Sequence, residues 1–173
     1  LKEGFGPEAT RALDEIRACK EKGIITVLVH VRRGDFVTNP HARAEQGALE
    51  IDYFKRGIDL IAERIALKAK TGNDLEKNNP SIHIFFASDD AAWVKENIQT
   101  SIPASFISAP GIKDYEELLI MSNCDHFVIS NSSFSWWAAW LATNPNKIVV
   151  APKRWRVDNA DTSDATPPNW LRI

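Results

Sequence analysis

The chain has 173 residues, enough for one ordinary domain with a sizeable core and too few for two comfortable ones. Its 21 basic and 23 acidic side chains leave a net charge near −2, so bulk electrostatics call for neither nucleic acid nor an anionic membrane, and an anionic ligand must be held locally. Cys19 and Cys124 fall in different predicted helices without CxxC spacing, which gives no disulfide framework and argues against a zinc site. The sequence carries no apolar run of about twenty residues and no charged-then-apolar leader. It opens on Leu1 rather than Met, and the expectation is a piece of a longer protein.

Pro7, then Ala12, Leu13, Ile16 and Cys19 at helical spacing, with Gly23 as a stop, predict a helix over 7–22 that leads into a strand from Ile25 to Val31. From Phe36 to Glu50 the pattern dissolves, and a long loop there is a candidate functional segment. Asp52 is the expected cap of a helix reaching about Ala69, with Tyr53, Phe54, Ile58, Ile61 and Ile65 along one side. Gly72 to Pro80 reads as a polar turn, and Ile82 to Ala87 as a strand buried on both faces. Ser88-Asp89-Asp90 caps a helix to about Ile98, Ala104 to Ser108 is a weaker strand, and Asp114 is expected to cap the next helix. His126 to Ile129 makes another strand. It runs through Ser130 to Ser133 into a helix, Phe134 to Leu141, that is apolar nearly all round and therefore expected to be buried. Lys147 to Ala151 is the last predicted strand, and the tail from Pro152 shows little periodicity. Alternating strands and helices predict an α/β, Rossmann-like, largely parallel sheet with helices on both faces.

Two strand ends carry the chemistry. In Val27 to Asp35, VLVHVRRGD, an apolar strand delivers His30, Arg32, Arg33 and Asp35 to the rim where ligands of parallel sheets bind. Paired guanidinium groups match phosphate oxygens bidentately, so a diphosphate is the ligand these residues suit; a strand ending in solvated arginines is the plainer alternative. In Ile129 to Leu141, ISNSSFSWWAAWL, a helix starts at Ser132 or Ser133, where free N–H groups and the helix dipole favour an anion. Together these stretches suggest one diphosphate gripped from two sides. Asp89 and Asp90 bring carboxylates to the same rim, and an acid among Asp114, Glu116 and Glu117 could accept from a guanine edge, although capping and favourable helix-start charge are the plainer reading of each taken singly. Trp136, Trp137 and Trp140 read as packing residues, and Asn131-Ser132-Ser133, although it matches a glycosylation acceptor, lies too near the core for a glycan.

His30-Val31-Arg32-Arg33-Gly34-Asp35, Ser88-Asp89-Asp90, Met121 to His126 and Ser130 to Leu141, in this order, resemble the motif series of the α-1,2-fucosyltransferases, glycosyltransferase family 11. Pro152-Lys153-Arg154-Trp155 is similar to that family's C-terminal segment. The resemblance implies that residues 1–173 form the GDP-fucose-binding lobe of a two-lobed GT-B transferase, with the acceptor-side lobe outside this chain. Such an enzyme needs no metal or other cofactor and transfers fucose with inversion to the 2-hydroxyl of a galactose-containing glycan acceptor. By the same resemblance Arg32 and Arg33 hold the pyrophosphate and stabilise the departing GDP, and His30 lies near the nucleotide. Asp89 sits by the phosphate end, which Ser133 and Ser135 complete. Glu117 falls where the related α-1,6- and protein O-fucosyltransferases have a guanine-reading acid, a position more often Asp, and Ala138 replaces a frequent glycine. Asp35 is the carboxylate within the motif that would take the acceptor's proton; a base from the other lobe is the alternative. A non-catalytic nucleotide-sugar-binding module of the same fold is the competing function. No nucleic-acid partner is implied, and a membrane would enter only through a segment outside this chain. A bacterial cytoplasmic enzyme and a Golgi enzyme without its anchor share this signature.

Overall fold

The computed structural model describes residues 4–71, 80–158 and 160–173. Along the chain come α1 (Pro7–Glu21), β1 (Ile25–Val31), α2 (Gly34–Thr38), α3 (Pro40–Glu45), α4 (Ile51–Thr71), β2 (Ile82–Ser88) and α5 (Ala91–Asn97). Then follow β3 (Ala104–Phe106), α6 (Asp114–Met121), β4 (His126–Val128), α7 (Ser133–Leu141), β5 (Val149–Ala151) and β6 (Leu171–Arg172).

β1 lies inside the sheet because its side chains have apolar partners on both faces. Val27, Val29 and Val31 join one core cluster and Leu28 the other, the two-residue alternation of a strand covered on both sides. Along its whole length β1 pairs with β2, from Ile25 opposite Ile82 to Val31 opposite Ser88, and on its other side Val27–Val29 pair with His126–Val128. The strand order among the described residues is β3-β2-β1-β4-β5-β6, and every pairing is parallel. The order reverses between β1 and β4, and at such a switch point the connections leave a crevice beyond the strand ends. The Rossmann-like expectation holds.

One face is covered by α1, α6 and α7 and the other by α4 and α5. Tyr53 of α4 anchors the second layer near the crevice, its hydroxyl donating to the Ile129 carbonyl at 2.6 Å. The polar turn expected over Gly72 to Pro80 lies, except for Pro80, outside the described residues.

Several expectations are corrected. The segment after β1 is not one loop: α2 and α3 occupy it, too short to show helical periodicity. Pro40 opens α3, and the Asn39 side chain accepts from the N–H groups of His41 and Ala42. Asp52 is inside α4 rather than its cap, paired with Arg56 at 3.0 Å. Asp114 is the first residue of α6; the flanking Lys113 N–H is taken by Glu116, which also accepts from Gly6 N–H, each at 2.8 Å, binding α6 to the start of α1. Cys124 is buried in the turn after α6 rather than in a helix. The tail adds β6 beside β5. Finally, α7 is not buried all round: Ser135, Ala138 and Ala139 form its inner stripe, while Trp137 and Trp140 are 50 % and 52 % exposed. Small residues let the helix approach the sheet and turn the indoles outward.

Gly57 marks the closest approach of α4 to the sheet, since a Cβ there would lie 2.7 Å from Val128 Cγ1 and 3.5 Å from Val150 Cγ1. Those branched side chains belong to paired strands and have little room to yield. Gly57→Ala is expected to cost about 1–3 kcal/mol in urea unfolding despite alanine's better helix propensity; unchanged or raised stability would show that the layers separate freely here.

Candidate functional site

The switch-point crevice is a cleft of about 510 Å³, within the size range of small-molecule sites. β1 contributes His30 and, just beyond its end, Arg32; the end of β2 contributes Ser88 and Asp89; Glu117 and Asp114 enter from the first turns of α6. The β4–α7 junction supplies Asn131, Ser132, Ser133 and Phe134, and Trp155 of the tail closes one side. A larger depression of about 710 Å³, lined by Lys20, Asp125 and His126 among others, opens at the opposite end of the sheet. Size does not decide between them, because the crevice at the carboxyl ends holds the convergent charged and polar groups.

Asp89 organises this rim. Its Oδ1 accepts from the Arg33 backbone N–H at 2.9 Å and its Oδ2 lies 3.0 Å from Arg32 Nη1, so one carboxylate ties the end of β1 to the end of β2. Asp35 holds the other side of the same guanidinium, with Oδ1 at 2.7 Å from Arg32 Nη2. Phe36 lies under it, its ring centroid 5.6 Å from Arg32 Cζ. Two carboxylates and an aromatic ring thus hold the cation in one orientation at the cleft wall. Gly34 belongs to this arrangement because any Cβ there would overlap the Asp89 carboxylate.

The two arginine side chains do not line the cleft together. Arg33 turns its guanidinium away from the cleft residues, stacking 3.6 Å over the Trp93 ring with Nε 3.2 Å from Asp90 Oδ2. Both residues lie past the end of β1, where the chain turns into α2 at Arg33, and that turn carries the two guanidinium groups apart. Arg33 therefore braces α5, and Arg32 is the arginine that lines the cleft.

His30 is buried, its Nδ1 2.8 Å from Ser130 Oγ and its ring 5.9 Å from that of Phe134. Burial, and then the nearby Arg32 charge, lower its pKa to about 3, so it serves as a neutral hydrogen-bonding group. Glu117 moves the other way: burial raises its pKa, with the charges of Asp114 and Asp89 adding to the rise, against a hydrogen bond from Ser108 Oγ that lowers it. Ser133 is exposed at the first position of α7, beside Ser132, whose side chain makes no capping bond. Ser135 is correctly read as helical but is fully buried and donates to the Ser132 carbonyl at 3.2 Å, so it does not face the cleft. Among the described residues no group of three or more His, Cys, Asp or Glu side chains is placed to hold a metal, and no helix is long and apolar enough to cross a membrane.

Gln46, Phe134 and Asn131 fall in the two stretches that the sequence flags, but nothing local singles them out as cleft residues. The Asn131 side-chain amide donates to the carbonyls of Gln46, Gly47 and Trp155 at 2.9, 3.1 and 3.2 Å, drawing the α3 loop and the tail together at the rim. Its burial agrees with the reading that it carries no glycan. The local signal was an Asn at a strand end, but its partners are distant in sequence.

Comparison with known proteins adds a family to this geometry. Residues 8–173 match the family described as glycosyl transferase family 11. The chain is 33 % identical over 150 residues to the O-antigen biosynthesis glycosyltransferase WbnK of Escherichia coli, a match that covers 86 % of this chain and 44 % of that protein. It is 33 % identical over 153 residues to an alpha-1,2-colitosyltransferase of Escherichia coli, covering 86 % and 47 %. The galactoside alpha-(1,2)-fucosyltransferase 2 of Mus musculus is 26 % identical over 138 residues, covering 78 % and 35 %. The chain therefore spans less than half the length of these relatives.

The buried imidazole has a consequence for stability. The folded protein keeps His30 neutral where the unfolded chain, near an ordinary pKa of 6.5, takes up a proton. Its contribution is thus complete above about pH 6.5 and is lost as pH falls toward 3, at up to about 1.4 kcal/mol per pH unit. His83 and His126, lowered mainly by burial, act in the same sense, and Glu117 in the opposite one. Urea unfolding between pH 7 and pH 5 should show a smaller loss of stability in His30→Gln than in the unaltered protein. Equal slopes would mean that His30 takes up a proton in the folded state as readily as in the unfolded one.

Proposed function

The chain belongs to glycosyltransferase family 11, and from that membership we propose that it is the donor-binding part of an inverting, GT-B type α-1,2-fucosyltransferase that uses GDP-fucose. The observation that carries the reading is Arg32, held by Asp35 and Asp89 in a cleft shared with the start of α7 at Ser133. A diphosphate between them meets a preorganised guanidinium on one side and free helix N–H groups on the other. Glu117 and Asp114 lie at the α6 side of the cleft, where a carboxylate can accept from the N–H groups of guanine. His30, neutral, adds a hydrogen bond without adding charge.

In this reading the acceptor's 2-hydroxyl oxygen attacks the anomeric carbon from the face opposite the phosphate, the bond from that carbon to the phosphate oxygen breaks, and GDP leaves with the electron pair. Arg32 and the helix start stabilise the charge that grows on the leaving diphosphate, work that needs no metal ion. Asp35 binds Arg32 through Oδ1 and keeps Oδ2 for the acceptor's proton. Arg33 contributes by holding α5 and, through its backbone, Asp89. The relatives' names agree on an α-1,2 linkage and differ in the sugar, colitose in one and fucose in the other, and the fucosyl reading follows the galactoside α-(1,2)-fucosyltransferase. A galactose-containing glycan is the corresponding acceptor.

Calorimetry with GDP, GDP-fucose and UDP tests the donor class. GDP and GDP-fucose should bind and UDP should bind more weakly; Arg32→Ala should weaken GDP binding about ten- to a hundredfold, the worth of hydrogen bonds to a charged group. Arg33→Lys should have a smaller effect, because its losses are the stack on Trp93 and the contact to Asp90. GDP binding untouched by Arg32→Ala would refute the assignment. Donor binding without GDP release by the full-length protein, given GDP-fucose and a lactose-type acceptor, would leave a binding module rather than an enzyme.

A further inference from the structure

A second groove, of about 600 Å³, lies between α7 and the C-terminal segment, outside the donor cleft. Its floor is aromatic. Trp136 and Trp140, one helical turn apart, stack with ring planes 12° apart and centroids 5.2 Å apart, and Trp140 is half exposed. The platform is fixed in advance: the Trp136 indole N–H donates to the Ala165 carbonyl at 2.9 Å, and its ring centroid lies 5.5 Å from that of Trp170. The rest of the lining sets the polar Ser163, Asp164, Thr166 and Arg172 beside Pro167 and Pro168. Arg172 Nη1 donates to the Ser163 carbonyl at 3.1 Å, and the buried Thr166 hydroxyl has no hydrogen-bond partner among the described residues. A flat indole surface beside a carboxylate, a guanidinium and hydroxyls suits a ligand that is apolar on one face and lined with hydroxyls at its edge. An acyl chain or an apolar helix would match the indoles and prolines but would leave Asp164 and Arg172 without compensating partners where it covered them.

We propose that this groove is a carbohydrate-binding subsite that seats a pyranose ring against Trp140, with Asp164 and Arg172 bonding its hydroxyls. It runs along the helix whose first residue, Ser133, lines the donor cleft, and Trp140 stands about 10 Å of helical rise from it. The occupant is therefore a part of the glycan acceptor remote from the reacting hydroxyl. That identification rests on the transferase reading, whereas saccharide binding by the groove does not.

The test titrates the protein with lactose and lacto-N-tetraose, following indole N–H resonances and tryptophan fluorescence, with GDP binding measured in parallel. Saturable saccharide binding is expected, weakened at least tenfold by Trp140→Ala, less by Trp140→Phe and several-fold by Asp164→Asn, with GDP binding unchanged in all three. Arg32→Ala should do the reverse, lowering GDP affinity and sparing the saccharide. No saturable saccharide binding, or binding indifferent to Trp140→Ala and Asp164→Asn, overturns the subsite. Self-association abolished by Trp140→Ala in a protein that binds no saccharide also overturns it and assigns the face to protein contact. Failure of GDP binding alone strikes the donor reading and leaves the groove standing.

Discussion

The Asp89 carboxylate is the tie on which the cleft depends. Parallel strands end in unpaired backbone groups, and the first groups beyond the β1–β2 ladder are claimed by this side chain: the Arg33 N–H on one oxygen and the Arg32 guanidinium on the other. The cation is held before any ligand arrives, so little conformational freedom remains to be lost on binding. Gly34 is required at the same point, because the chain turns into α2 directly against that carboxylate.

Around this tie the charges are separated by function. Arg32 keeps its charge at the cleft, with carboxylates on both sides, and His30 behind it is held neutral by burial and by that same cation. Glu117 is pushed toward its protonated form by burial and by neighbouring carboxylates. Arg33, adjacent in sequence, is spent on the Trp93 ring and Asp90. Arg32 is thus set among Asp35, Asp89, Asp114 and Glu117 at the cleft, and the placing of each group rather than the composition of the chain sets the field at a given point.

Helix α7 links the two grooves. Its small inner stripe lets it lie close to the sheet, which brings its first turn to the cleft and turns Trp137 and Trp140 outward. The C-terminal segment then packs across it, held by the Trp136 indole and by β6 pairing with β5. Trp155 and Asn131 join that segment back to the cleft rim.

Local pattern alone determined the alternation of strands and helices and the placing of His30, Arg32, Asp89 and Ser133 at one edge, while the family resemblance picked Glu117 from the acids that open α6. Each follows from a two-residue or helical period, or from a motif read in order, and such signals survive without knowledge of neighbours. What pattern could not decide was direction. That Arg33 leaves the cleft while Arg32 enters it, that Ser135 is buried beneath Ser133, and that Asn131 gathers Gln46, Gly47 and Trp155 depends on contacts from elsewhere in the chain. The outward indoles of α7 show the same limit. A helix apolar all round has no face that its own residues must bury, and the sheet chose the small stripe because small side chains allow the closest approach.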